Sequence, residues 1–128
     1  MLLVDTELKP SAIHGLGVFL KQPVKKGEPI WRFDSRIDRV YSPDEIASLP
    51  EHLRRYLKTY STYHAETDLW VLCGDNGRYF NHADDPSCVS QGVSFGMDVA
   101  ARDLAVGDEL TSDYRTICDH VRRNGNGF

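Results

Sequence analysis

Three short stretches hold the residues most capable of chemistry. The first is His14-Gly15-Leu16-Gly17-Val18-Phe19. Two glycines around one residue let the backbone approach a ligand closely or adopt positive φ, and they suit a tight turn equally well. The pattern is no dinucleotide fingerprint, because position 20 is Leu20 and Pro23 spoils any following helix. It is no phosphate loop either, since no Gly-Lys-Ser/Thr follows. The second stretch, Arg78-Tyr79-Phe80-Asn81-His82-Ala83-Asp84-Asp85-Pro86-Ser87-Cys88, sets Asn81 and His82 in tandem after an aromatic pair. Such polar groups need named partners, which are either loop backbone or a ligand. Read as a metal site, His82, Asp84, Asp85 and Cys88 mix hard and soft donors in a set that matches no common ion, so no metal is expected. The third stretch, Gly107-Asp108-Glu109-Leu110-Thr111-Ser112-Asp113-Tyr114, closes a strand and turn on a tyrosine. That ring either fills a buried slot with its hydroxyl satisfied or offers the hydroxyl to a reaction. There is no G-x-S-x-G elbow, and no cysteine lies in a recognised Cys-His context.

The elements that must position these residues are short. Strands are expected over Leu2 to Leu8, Gly17 to Lys21, Pro29 to Phe33 and Ile37 to Tyr41, punctuated by Gly15, Gly17, Pro23, Gly27 and Pro29. Ser42-Pro43-Asp44-Glu45 is a capping box with proline at the first helical position. That helix stops before Pro50, and a second follows with Leu53, Tyr56, Leu57 and Tyr60 on one face. Leu69 to Leu72 is an apolar run before the turn at Cys73-Gly74-Asp75-Asn76-Gly77, and Arg78 to Cys88 fits no regular element. Val93 to Met97, Asp98 to Ala101 and Glu109 to Leu110 read as strands, and the tail from Cys118 to Phe128 as frayed. No repeat or linker is visible. The class is mainly β with a small helical insert at about 42–60, in one domain covering 1–128 with a short tail at 116–128.

Composition narrows the function classes. The hydrophobic fraction of 41% and charged fraction of 27% are those of an ordinary globular protein. A net charge of -4 argues against direct nucleic-acid binding, and the pairs Lys25-Lys26, Arg54-Arg55 and Arg122-Arg123 read as solvated faces. The cysteines Cys73, Cys88 and Cys118 form no C-x-x-C pair. The apolar run at Met1-Leu2-Leu3-Val4 is too short for a signal peptide, and no stretch approaches the roughly 20 residues that span a bilayer. A cytoplasmic protein with reduced thiols and no membrane contact is expected.

In order, spacing and residue type the three stretches resemble the SET-domain family of protein lysine methyltransferases. Gly15-Leu16-Gly17-Val18-Phe19, with Val24-Lys25-Lys26-Gly27-Glu28-Pro29-Ile30 behind it, looks like that family's opening strand pair and G-x-G motif. Arg78-Tyr79-Phe80-Asn81-His82 resembles its R-F-x-N-H segment. Ala101-Arg102-Asp103-Leu104 and Gly107 to Tyr114 resemble its closing A-x-R-D-I…G-E-E-L-T-x-D-Y run. The likeness covers roughly residues 11 to 115, the helices fall where the family carries its variable insert, and the chain is similar to the small stand-alone members.

The resemblance implies a SET-type β-clip fold of small curved sheets, with a C-terminal pseudoknot that is an exception to the rule against threaded chains. It implies S-adenosyl-L-methionine as cofactor, S-adenosyl-L-homocysteine as product, and a protein substrate carrying a target lysine. Tyr114 takes the catalytic position beside the transferring methyl. Asn81 and His82 are expected at the cofactor's methionine and adenine ends, with the backbone of His14, Gly15, Leu16 and Gly17 opposite and Arg78 nearby. Tyr63, Trp70 and Tyr79 are candidates for the walls of the lysine channel.

Two departures stand out. Where the family often continues N-H-S-C-x-P-N, this chain has Asp84 for Cys and Ser87 for Asn. After Tyr114 only Cys118 and His120 follow, too few for the zinc-binding cluster many relatives carry. The tail, with Phe128 at its end, or a second subunit in a homodimer is expected to complete that wall. The alternative is a SET-like module that binds a protein partner without transferring methyl groups.

Overall fold

The short strands expected in the first forty residues have their outcome in a hairpin. The computed structural model describes residues 1–91 and 96–118. In it β1 (Thr6–Pro10) pairs antiparallel with β2 (Leu16–Leu20), from Thr6 opposite Leu20 to Pro10 opposite Leu16. The other edge of β2 takes β10 (Glu109–Ser112), antiparallel, with Leu110 opposite Val18. The far edge of β10 pairs in parallel with the two-residue strand β7 (Asn81–His82), Thr111 opposite Asn81 and Ser112 opposite His82. The sheet order β1-β2-β10-β7 sets three distant segments side by side.

A second sheet holds β3 (Pro29–Arg32), β9 (Met97–Ala100) and β8 (Cys88–Gln91), with a register break between Pro29 and Trp31. Between these two sheets lies the main core of Val18, Leu20, Val24, Ile30, Cys88, Ala100, Leu104 and Leu110. Although no repeat is visible in the sequence, the fold uses one turn twice. Val24 to Ile30 and Leu104 to Leu110 each carry a glycine of positive φ at the same place, Gly27 at 84° and Gly107 at 90°. They bridge each other through Val24 and Leu104, whose amides and carbonyls exchange bonds of 3.0 and 2.7 Å.

The insert is more than helical. Its helices are α1 (Pro43–Ala47) and α2 (Glu51–Tyr60), and the capping box at Ser42 and Glu45 closes with two bonds of 3.1 Å. They pack on a third sheet, β4 (Arg39–Tyr41), β6 (Leu69–Leu72) and β5 (Ser61–His64), around a core of Ile46, Leu57, Trp70 and Leu72. Strand β5 has no apolar alternation, because its buried residues are Ser61 and His64. Along α2 only Leu57 of the expected face is buried, whereas Leu53 and Tyr56 stay 40% and 37% exposed.

Other expectations shift for identifiable reasons. The strand expected over Leu2 to Leu8 starts only at Thr6, because Leu2 forms an isolated bridge to Trp31 instead. The stretch from Arg78 to Cys88 is not wholly irregular: a 3₁₀ turn covers Asn76–Tyr79 and β7 follows. The expected tail begins inside a helix, α3 (Tyr114–Ile117), capped by the Asp113 carboxylate on the Arg115 amide at 3.0 Å. Part of the strand expected at Val93 to Met97, and His120, Arg122, Arg123 and Phe128 of the tail, lie outside the described residues. Among the described residues no helix is long and apolar enough to cross a membrane.

Leu110 is fully buried at the centre of the main core. Leu110→Ala is expected to cost about 3 kcal/mol in urea denaturation, against about 1 kcal/mol for Ser42→Ala, which removes only a helix cap. Equal losses from the two would contradict a core organised around β10.

Candidate active site

The turn leading into β2 is built from the backbone outward. The Ser11 amide donates to the Gly15 carbonyl at 2.8 Å, and the Ser11 hydroxyl oxygen accepts the Ile13 amide at 2.9 Å. Gly15 sits at φ 45°, in the left-handed region that favours glycine. Gly17 is buried, and a Cβ there would lie 2.5 Å from Glu109 Oε2 and 3.0 Å from Ser11 Cβ. His14 and Leu16 are exposed, so this turn presents backbone and one apolar side chain to the surface.

Asn81, only 6% exposed on β7, holds the turn in place. Its Nδ2 donates to the His14 carbonyl at 3.0 Å, the Leu16 carbonyl at 3.1 Å and Glu109 Oε2 at 2.9 Å. Two amide hydrogens serve three acceptors, so one is shared. Glu109 also accepts the Ser11 hydroxyl at 2.8 and 3.1 Å, and no cationic side chain pairs with it among the described residues.

Tyr114 opens α3 rather than closing a turn, and β7 fixes it. Its backbone amide donates to His82 Nδ1 at 3.1 Å, which makes Nδ1 the acceptor and leaves the proton of a neutral ring on Nε2. That nitrogen meets Asp84 Oδ1 at 3.0 Å, and the two rings lie 5.4 Å apart. The Tyr114 hydroxyl donates to the Phe80 carbonyl. Burial first, and then the negative charge of Glu109, push its pKa above the usual phenol value. Arg115 bridges Asp84 and Asp113 at 2.9 Å each, and its hydrogen bond holds the Asp113 carboxyl below the usual range.

The loop between β7 and β8 clasps β10. Ala83 donates to the Ser112 carbonyl at 3.0 Å. The Ser87 hydroxyl donates to the Glu109 carbonyl at 2.9 Å and accepts the Thr111 amide at 2.9 Å. Ser87, a departure from the N-H-S-C-x-P-N pattern, is therefore a fastener. Asp84, a further departure, is a partner of His82.

The remaining sequence candidates lie on the elements around this seam. Arg78 donates to the Cys73 carbonyl at 3.1 Å and the Tyr56 hydroxyl at 2.5 Å, joining the 3₁₀ turn to α2. Tyr79 packs on the main core with its ring 5.7 Å from that of Tyr60. Trp70 belongs to the insert core and lines a cleft with Pro43, Ile46, Ala47, Arg54 and Lys58. Tyr63 lies on β5 with its ring 5.2 Å from Trp70, its hydroxyl on Asp68 at 2.7 Å and its amide on Cys118 Sγ at 3.2 Å. That last bond brings β5 beside the helix that begins at Tyr114. Sequence reasoning missed Glu109 and Ser11 as site residues; Glu109 stands within the quoted motif, whereas nothing in the sequence marks Ser11.

Chemically, the arrangement offers a backbone cradle, a buried amide, a carboxylate and a neutral phenol. Covalent cysteine chemistry does not fit it, because burial pushes the Cys73 and Cys88 thiols up to about 12. No three of His, Cys, Asp and Glu gather as a metal site among the described residues. In alkaline titration followed at the tyrosinate band, the component removed by Tyr114→Phe is expected to have its midpoint above 10. Because its folded pKa lies above the unfolded one, Tyr114 contributes stability that is full below about pH 10 and is lost as pH rises beyond it. A midpoint at or below 10 would contradict the burial of this phenol.

The chain is similar to known proteins. Residues 15–115 match the SET domain family. A histone-lysine N-methyltransferase, H3 lysine-4 specific, of Eremothecium gossypii is 32% identical over 117 residues, covering 82% of this chain and 11% of the relative. Histone-lysine N-methyltransferase ATX2 of Arabidopsis thaliana is 31% identical over 116 residues, covering 82% and 10%. The chain thus spans about a tenth of the length of these relatives. Among solved structures, Chaetomium thermophilum Polycomb Repressive Complex 2 bound to GSK126 superposes with a TM-score of 0.69 at 21% identity, over 95% of this chain and 17% of that one. The likeness in fold and the match across most of its length place the chain in the SET domain family.

Proposed function

We propose that this chain transfers methyl groups from S-adenosylmethionine to the ε-amine of a lysine in a protein substrate. The observation that carries the reading is the convergence of three distant segments: Asn81 binds the His14–Gly17 turn, and its neighbour His82 binds the Tyr114 amide. The relatives named as histone-lysine N-methyltransferases support the same reaction class. The loop clasp over β10 supports the reading of a pseudoknot, in which the final strand is held between β2 and β7.

The residues present fit the cofactor. The turn at His14–Gly17 offers main-chain groups without side-chain bulk at Gly15, where a Cβ would meet only open space. Asn81 and His82 stand across from it as groups for the methionine and adenine ends. When bound, the cofactor supplies an electrophilic methyl group on a sulfonium. Tyr114 holds a neutral hydroxyl at the meeting point and directs it without competing as a nucleophile. A lysine of ordinary pKa about 10.4 reaches such a site charged, and an apolar channel favours loss of that proton by desolvation. Tyr63, beside α3, and Tyr79 are the proposed walls. Trp70 would act by backing Tyr63, and Arg78 by fixing the 3₁₀ turn before Asn81. Residues beyond 118 or a second copy of the chain would complete the wall.

Calorimetric titration with S-adenosylhomocysteine tests the reading. Saturable binding by the wild type is expected, weakened at least tenfold by Asn81→Ala. Tyr114→Phe is expected to retain that binding while lowering methyl transfer to histone H3 about a hundredfold, in the range of a single positioned hydroxyl. A wild type without affinity for S-adenosylhomocysteine would overturn the proposal, and binding without turnover would favour a silent binding module.

A further inference from the structure

Tyr114 begins α3, so its backbone amide has no carbonyl partner within the helix. His82 Nδ1 takes that amide at 3.1 Å, and it accepts only while the nitrogen carries no proton. The ring sits between two carboxylates. Asp84 Oδ1 lies 3.0 Å from Nε2, and Asp113 Oδ1 lies 3.7 Å from Nδ1. Both acids favour a charged ring. A second proton, placed on Nδ1, would turn toward Asp113 and meet the Tyr114 amide donor to donor. The helix would then lose the contact that holds its first residue to β7.

Arg115 stands against that outcome. Its Nε and Nη2 bind both oxygens of Asp113 at 2.9 Å, and Nη2 also reaches Asp84 Oδ1 at 2.9 Å. That Asp84 oxygen is the one that meets His82 Nε2, so guanidinium and ring share one acceptor. With the guanidinium in place, the two acids leave one net negative charge beside His82; without it they leave two. Among the described residues neither acid pairs with another lysine or arginine. Other neighbours do not replace it: Asp85 pairs with Arg102 at 3.8 Å, and the Tyr114 ring 5.4 Å from His82 is neutral.

Resting on the methyltransferase reading above, we propose that Arg115 is a positioning residue for Tyr114. By binding Asp84 and Asp113 it keeps His82 neutral, with Nδ1 as the acceptor of the Tyr114 amide. It acts through the charge on His82 rather than on the reacting atoms. Arg115 is half-exposed, and ion pairs of this kind add little to stability, so its removal is expected to leave the fold intact.

Ring-nitrogen NMR of the full chain, without cofactor, reads the protonation of His82, and amide exchange at Tyr114 reads the bond between them. At neutral pH the wild type is expected to show a neutral ring protonated on Nε2 and a slowly exchanging Tyr114 amide. Arg115→Gln is expected to shift the ring toward its charged form and to speed that exchange about tenfold. Its kcat for methyl transfer to histone H3 is expected to fall about tenfold, with KM for the histone unchanged. Adding Asp84→Asn to Arg115→Gln restores one net negative charge and keeps an acceptor oxygen for Nε2, so it is expected to recover all three signals. Thermal melts report whether each variant folds. A ring equally neutral in folded Arg115→Gln would overturn the assignment, and so would a folded double variant that recovers none of the signals. A wild type that transfers no methyl group would remove the methyltransferase reading, while the ring and amide signals would still decide whether Arg115 holds Tyr114.

Discussion

The site depends on one side-chain amide. Asn81 is buried in a strand only two residues long, and its nitrogen spans two carbonyls of the glycine turn and the carboxylate of Glu109. A buried donor left without acceptors costs about 1–3 kcal/mol, so the turn, β10 and β7 hold one another in register. Because β7 is parallel to β10, fixing Asn81 also fixes His82 beside Ser112, and His82 in turn fixes the amide of Tyr114. One polar contact thus sets the position of the tyrosine relative to the cradle.

Around that polar seam the fold separates two environments. Below it, Val18 and Leu110 seal β2 and β10 to the main core and keep the thiol of Cys88 protonated and inert. Above it, the phenol of Tyr114 stays neutral, because burial and Glu109 both oppose its ionisation. The site therefore holds a carboxylate beside a neutral phenol, and that phenol is no strong nucleophile. The insert contributes from the side: β5 reaches the end of α3 through the Tyr63 amide and the Cys118 thiol.

What the sequence disclosed follows from how local each signal is. The capping box at Ser42 and Glu45 is complete within four residues, and α1 stands where it was expected. The resemblance names Gly15, Gly17, Asn81, His82 and Tyr114 but not the geometry around them, because the bonds from Asn81 to the turn and from Tyr114 to His82 connect positions 32 to 67 residues apart. Strand β7 exists only through its pairing with β10, and β5 buries Ser61 and His64 rather than an alternating apolar face, so neither left a periodic trace. Tyr63, Trp70 and Tyr79 were grouped by ring chemistry alone. In the fold they stand on β5, in the insert core and on the 3₁₀ turn.

Hydrogen–deuterium exchange with and without S-adenosylhomocysteine tests most directly whether three segments form one site. The account expects exchange to slow together in peptides covering residues 11–20, 78–84 and 107–118, while the helices at 43–60 remain unchanged. Slowing confined to one of these segments, or found in the helical insert instead, would contradict a single site assembled around Asn81.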